Sequence, residues 1–233
     1  MSAQPAVRAE AAPAREVLVT GGTGYLGTAL APALLARGHG VRVLARPASV
    51  RRVPAGALAV AGDALSAESV ASALREGDTL VHLVGTPHPG PLKAREFQRV
   101  DLVSIQASVE AAVRARVEHV VYVSVAAPAP VMHAYLAVRA EGERLIRASG
   151  LPATLLRPFY VIGPGHRWPL ALKPFYFAAE RLPATRASAL RLGLLTLAQM
   201  VAALVCAVEA GGEPGLVRTW PVPELRQLAA LRP

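Results

Sequence analysis

Three residues in the middle of the chain, Ser124, Tyr135 and Arg139, place a hydroxyl, a phenol and a guanidinium at a spacing that can do proton chemistry. Ser124 closes the apolar run 119–124, and Tyr135 and Arg139 stand four apart in a helical stretch, so both side chains fall on one helix face. A tyrosine works as a general acid or base when a fixed positive charge nearby favours its phenolate. Arg139 supplies such a charge, and a serine hydroxyl beside the pair can hydrogen-bond a substrate carbonyl oxygen. The three together suit the proton that accompanies a hydride transfer. Tyr135 equally suits an ordinary position on an amphipathic helix.

Such residues need a scaffold that gathers strand ends in one place. Apolar runs at 16–20, 41–45, 57–60, 79–84, 119–124 and 153–157 read as strands, and the stretches 24–37, 66–75, 94–116 and 133–149 between them read as helices. This alternation calls for a parallel sheet covered on both faces, an α/β doubly wound architecture whose ligands lie beyond the carboxyl ends of the strands. Pro32 falls inside the first helix, where it is disfavoured and can kink it.

The first strand runs into Thr20-Gly21-Gly22-Thr23-Gly24-Tyr25-Leu26-Gly27, with glycines at Gly21, Gly24 and Gly27. After a strand and before a helix, this is a phosphate cradle: Gly21 allows a tight turn, Gly24 lets the backbone approach a pyrophosphate, and Gly27 lets the helix pack closely. The free N–H groups and dipole of the helix start favour the anion. Behind the second strand stands Arg46 where an acidic residue would bind a ribose 2′-hydroxyl. A guanidinium there can pair with a 2′-phosphate, which favours NADP while leaving NAD possible, although a solvated arginine in an arginine-rich chain reads the same way. Asp63 follows the third strand, either near an adenine or as a helper for the next helix, and Gly85 follows the fourth.

The chain has 233 residues and a net charge of +9, carried by 23 Arg and 2 Lys scattered among alanines. No basic run longer than Arg51-Arg52 and no basic-aromatic interleaving occurs, so nucleic acid is not an expected partner. The uncharged run Leu192 to Val208 holds Thr196 and Gln199 in a capping-box spacing, which predicts a short buried strand and then a helix at 196–209 in place of a membrane span. Cys206 is the single cysteine, so neither a disulfide framework nor a metal site is expected, and the histidines lack metal-ligand spacing. A reducing cytoplasm is the simplest home. Residues 1–15, rich in Ala, Pro and Arg, read as a disordered lead-in.

Taken together, the glycine turn, Gly62-Asp63, His82-Leu83-Val84-Gly85, Tyr122-Val123-Ser124, Tyr135-x-x-x-Arg139 and Leu156-Arg157-Pro158-Phe159-Tyr160-Val161-Ile162-Gly163 resemble the short-chain dehydrogenase/reductase superfamily, in its atypical and extended, epimerase/dehydratase-like form. The resemblance implies a Rossmann-type NAD(P)-binding domain over 16–165 and a small substrate-side cap over 166–233. It implies pyrophosphate binding by Gly21, Thr23, Gly24, Tyr25, Leu26 and Gly27, and contact of Arg46 with the adenosine ribose phosphate and of Asp63 with the adenine. Leu83, Val84 and Gly85 would meet the nicotinamide-side ribose, Pro158, Tyr160 and Val161 the carboxamide, and Ser124, Tyr135 and Arg139 would form the catalytic set. Superfamily enzymes usually carry lysine where this chain has Arg139, which keeps the charge but not a proton-relaying amine. That departure leaves open a cofactor-binding accessory protein with weak turnover. The aromatics Phe159, Tyr160, Trp168, Phe175, Tyr176 and Phe177 suit an apolar or aromatic small-molecule pocket and equally a small hydrophobic cap on the sheet, and 126–131 and 163–174 read as loops rimming the site. The helices at 94–116 and 133–149 could pair across a two-fold in a homodimer.

Overall fold

The protein is described by a computed structural model over residues 12–87, 89–129, 132–165 and 190–230. Its first strand, β1 (Glu16–Thr20), is buried from Val17 onward, and its side chains alternate between two cores. Val17 and Val19 face one, Leu18 the other. Around β1 the remaining strands are β2 (Gly40–Ala45), β3 (Leu58–Ala61), β4 (Thr79–His82), β5 (His119–Val123) and β6 (Ala153–Arg157), with β9 (Val217–Pro221) outermost. They form one seven-stranded sheet in the order β3-β2-β1-β4-β5-β6-β9, parallel at every pairing. The order reverses between β1 and β4, which opens the crevice where doubly wound sheets take ligands.

Helix α1 (Gly27–Ala36) and the later helix α6 (Leu197–Ala210) cover the Val17 face, with Leu30, Leu34, Met200 and Leu204 all fully buried there. Helices α2 (Ala67–Ala73), α4 (Val103–Ala115) and α5 (His133–Ala148) cover the other, contributing Val70, Ile105 and Ile146. α1 starts at Gly27 and not at 24, because residues 21–26 form the turn in which the Gly24 N–H donates to the Gly21 carbonyl. Pro32 is accommodated inside α1.

The expected helix at 94–116 is a composite. A short α3 (Ala94–Glu96) opens it, a wider π-helical turn spans Phe97–Leu102, and α4 follows. The extra residue turns both Phe97 and Asp101 inward, and both are buried. Downstream, β7 (Tyr160–Ile162) pairs in parallel with β8 (Leu194–Thr196), and α6 begins with the expected capping box. The Thr196 hydroxyl accepts from the Gln199 N–H at 3.1 Å and the Gln199 side chain accepts from the Thr196 N–H at 2.9 Å. Among the described residues no helix is long and apolar enough to cross a membrane.

β9 and the closing helix α7 (Val222–Ala230) have no counterpart in the sequence reading. The strand is Val-Arg-Thr-Trp-Pro, an edge segment without an apolar run, and only Trp220 in it is buried. Residues 166–189, which include Trp168, Phe175, Tyr176 and Phe177, lie outside the described residues, as do His88 and positions 130–131 of the expected rim loop.

Candidate active site

The glycine turn sits at the carboxyl end of β1 with its backbone pressed against the chain leaving β4. Gly21 has φ +75°, and a Cβ there would lie 2.7 Å from the Leu83 carbonyl carbon. A Cβ at Gly27 would overlap the Gly22 backbone, so the start of α1 is seated on the turn itself. Gly24 is different: a Cβ there would meet only the Gly21 carbonyl oxygen, at 3.1 Å, with nothing else within 4 Å. α1 has no side-chain cap at its N-terminus and no acidic residue in its first turn. An open cradle at an uncapped helix start fits a pyrophosphate. Thr23 offers its carbonyl to the Arg52 guanidinium at 3.0 Å, a link between the glycine turn and the segment after β2 that sequence reading missed. Arg51-Arg52, noted only as a short basic run, was the signal. The Tyr25 ring reaches Gly163, where a Cβ would overlap its hydroxyl, and burial raises the pKa of that hydroxyl.

Arg46 is exposed and precedes the short 3₁₀ segment Pro47–Arg52 that carries Arg51 and Arg52. Asp63, also exposed, accepts the Leu65 N–H at 3.0 Å, while the cap of α2 is Ser66. Leu83 continues the ladder for one more bond, its N–H donating to Thr20 at 2.9 Å. On the far side Pro158 is buried and its carbonyl accepts the Ala126 N–H at 2.8 Å, while Tyr160 is half-buried beside Phe159, with ring centroids 4.6 Å apart. Burial raises the Tyr160 pKa as well. Val161 lies in β7 next to it.

Tyr135 and Arg139 do meet on α5. The guanidinium carbon of Arg139 lies 5.0 Å from the Tyr135 ring centroid and 5.7 Å from that of Tyr122, and Phe97 packs on Tyr135 with centroids 5.2 Å apart. Arg139 is buried, and its terminal nitrogens bind the protein. Nη1 donates to the Val123 carbonyl at 3.1 Å, and Nη2 donates to Asp101 at 2.6 Å and to the Val84 carbonyl at 3.4 Å. Nε is buried without a partner among the described residues. A Cβ at Gly85 would lie 2.5 Å from Nη2, so a side chain at this position would press on the guanidinium that Val123, Val84 and Asp101 hold.

Ser124 points elsewhere. Its hydroxyl donates to Glu143 at 2.6 Å, and Glu143 is held by two bonds from Arg157, at 2.8 and 2.5 Å. Burial works to raise the Glu143 pKa, but the bonds from Arg157 and Ser124 outweigh it and hold the carboxyl below its usual range. Glu143 lies two helical turns beyond Tyr135, roughly 12 Å along the axis, and no hydrogen bond joins Ser124 to Tyr135 among the described residues. Asp101 and Glu143 were both missed by sequence reading. The available signal for Asp101 was a polar position in the buried stripe Phe97, Ser104, Ile105, Ser108 and Val109.

Below Arg139 lies His82, fully buried, with Nδ1 3.0 Å from both the Thr20 and the Ser108 hydroxyls. Burial, reinforced by the Arg139 charge, lowers its pKa to about 3, so it is a neutral tie between β1, β4 and α4. No group of three or more His, Cys, Asp or Glu able to hold a metal occurs among the described residues.

Residues 21–165 match the model of an NAD(P)H-binding family. Among characterised relatives, a ceramide reductase of Caulobacter vibrioides (strain NA1000 / CB15N) is 32% identical over 174 residues, 70% of this chain and 51% of that protein. A 4-hydroxy-2-methyl-3-oxo-4-farnesyl-3,4-dihydroquinoline-1-oxide ketoreductase of Stigmatella aurantiaca is 29% identical over 167 residues, 62% of this chain and 50% of that one. The chain thus spans about half the length of these relatives. Of solved structures, MoeE5 in complex with UDP-glucose and NAD is similar over 93% of this chain and 82% of that one, at 26% identity and a TM-score of 0.63. A UDP-N-acetylglucosamine 4-epimerase from Bacillus cereus shares the fold over 89% and 78%, at 17% identity and a TM-score of 0.66. With its Rossmann sheet, glycine cradle and family match over most of its length, the chain belongs to the NAD(P)H-binding family and has the extended, epimerase-like fold of the short-chain dehydrogenase/reductase superfamily.

Proposed function

We propose that this protein binds NADP(H) across the strand-end crevice and interconverts an apolar ketone and its alcohol, with Tyr135 as the proton-transfer residue. The observation that carries this reading is the Tyr135–Arg139 pair, a phenol ring 5.0 Å from a buried guanidinium that also bonds the Val84 carbonyl, just past β4. Residues 21–27 would hold the pyrophosphate at the start of α1, Arg46 the 2′-phosphate and Asp63 the adenine. Leu83, Val84 and Gly85 would face the inner ribose, and Pro158, Tyr160 and Val161 the carboxamide. Bound there, the nicotinamide supplies or accepts the hydride.

Tyr135 gives its proton to the carbonyl oxygen during reduction and takes it back during oxidation. Arg139 favours the phenolate that this leaves only through the charge that its pairing with Asp101 leaves over. Ser124 would orient the carbonyl, for which its hydroxyl has to leave Glu143. An apolar substrate is supported by the names of the two relatives, one a reductase of ceramide and one a ketoreductase of a farnesyl-bearing quinoline oxide. The test is Tyr135→Phe in protein titrated with NADPH and then assayed with long-chain ketones. Turnover is expected to fall by a factor of at least about 100, with the NADPH dissociation constant held within about twofold. Wild-type turnover in this variant removes the assignment.

A second reading, an NADP(H)-binding accessory protein with little turnover, is favoured by one observation: both terminal nitrogens of Arg139 are engaged by Val123, Val84 and Asp101. NADPH binding with no consumption across a broad carbonyl panel would support it, and robust turnover would dismiss it.

A further inference from the structure

Asp101 is one of the most buried carboxylates of the fold, with 1% exposure, and it is set inward by the π-helical turn that precedes α4. Its Oδ2 accepts both the Thr86 N–H at 2.9 Å and the Thr86 hydroxyl at 2.6 Å, and its Oδ1 accepts Arg139 Nη2 at 2.6 Å. One side chain therefore joins the π turn, the loop leaving β4 and helix α5. The loop passes directly over the ion pair, since a Cβ at Gly85 would lie 2.5 Å from Nη2 and 3.3 Å from Oδ1. All three groups facing the carboxyl are donors, which suits an acceptor-only carboxylate and would leave an asparagine amide opposing one of them.

We propose that Asp101 is a positioning residue for Tyr135: it fixes the Arg139 guanidinium beneath Gly85 and cancels most of its charge where the Tyr135 ring lies over it. The inference rests on Tyr135 being the proton-transfer residue only for its catalytic meaning; the charge compensation stands on geometry. Among the described residues no other group is placed to provide it. Tyr135 faces Arg139 along α5 and the uncharged Phe97 across the π turn. Arg139 also faces Tyr122 from β5 and the neutral His82 from β4. Glu143, one turn further along α5, is engaged by Ser124 and Arg157. A guanidinium compensated in this way holds the tyrosine in place and tempers its ionisation, as a free ammonium would not.

Tetranitromethane, which attacks tyrosine as the phenolate, reads this directly and needs no substrate. The full chain is nitrated at pH 8 and the rate at Tyr135 followed by peptide mass spectrometry, with Tyr25 in the same sample as the internal reference. In Asp101→Asn the guanidinium is left without its counter-ion, and Tyr135 is expected to nitrate about tenfold faster while Tyr25 keeps its rate. An unchanged ratio overturns the proposal, and so does an equally accelerated Tyr135 in the double variant Asp101→Asn with Arg139→Gln, which carries no guanidinium charge and so reports local loosening alone. The same double variant replaces the ion pair by an uncharged amide pair and keeps the test open where the single variant does not fold. It is expected to stay within about threefold of the wild-type ratio, whereas a tenfold slower Tyr135 would mean that Arg139 acts uncompensated and would overturn the proposal. An active Tyr135→Phe enzyme would remove the catalytic assignment and leave these rates as they are, so the two failures are distinct.

Discussion

Arg46 is the residue on which cofactor choice turns in this reading. It stands exposed just past β2, with Arg51 and Arg52 on the 3₁₀ segment that follows it. A guanidinium bonded to a phosphate contributes about 1.5–3 kcal/mol, and solvent at this exposed site holds the effect to the low end. Arg46→Ala is therefore expected to weaken NADPH binding about tenfold and to leave NADH binding within about twofold, measured by fluorescence titration of each. Equal loss for both nucleotides would place Arg46 outside the 2′-phosphate contact. At this scale the residue types were legible in sequence, and their contacts were not. Gly85 looked like a neighbour of the ribose, yet its tightest contact is the guanidinium of a residue 54 positions away in sequence. Ser124 looked like a neighbour of Tyr135, yet its hydroxyl is directed along α5 to Glu143. Neither contact has a local signature, because each depends on how a helix lies across the sheet.

Elements were read best where the chain carries its own start signal or a long apolar period. α6 is the clearest case, since Thr196 and Gln199 bond reciprocally at 3.1 and 2.9 Å as the spacing predicts. Removing the cap oxygen with Thr196→Ala should cost about 1 kcal/mol, visible as a lower urea midpoint. The loss should leave NADPH affinity untouched, since Thr196 is not among the residues proposed to hold the cofactor. A changed affinity would show that α6 sets the position of the glycine turn. The π turn at Phe97–Leu102 and the edge strand β9 were illegible for opposite reasons. A π turn preserves the apolar stripe of an ordinary helix and changes only its phase by one residue. β9 has too little apolar pattern to stand out, and it is a strand because β6 offers it a partner.

For the whole molecule, the response to acid follows from histidines sealed inside it. His82 and His119 are both fully buried, and their pKa values are lowered to about 3. For His82 burial is the main cause and Arg139 the second; for His119 burial leads, followed by Arg218 and Arg15. His39 shifts the same way, through burial and then Arg15 and Arg37. Once unfolded, each histidine takes up a proton below about pH 6.5, whereas the folded chain holds His82 and His119 neutral until about pH 3. Protons therefore favour the unfolded state throughout that window, and stability falls as pH falls through it. At pH 5 each of the two would have withdrawn about 2 kcal/mol relative to pH 8. Glu143, held below the usual carboxylate range, gives up its contribution only below roughly pH 4.3, so the interval from pH 8 to 5 belongs to the histidines. Urea midpoints over that interval should drop steeply in the wild type. His119→Gln cannot take up the proton, and its amide can reach the place of Nε2, which lies 3.0 Å from the Thr154 hydroxyl, so its drop should be smaller by about 2 kcal/mol. A variant that loses as much stability as the wild type would show that the sealed imidazoles are not what acid attacks.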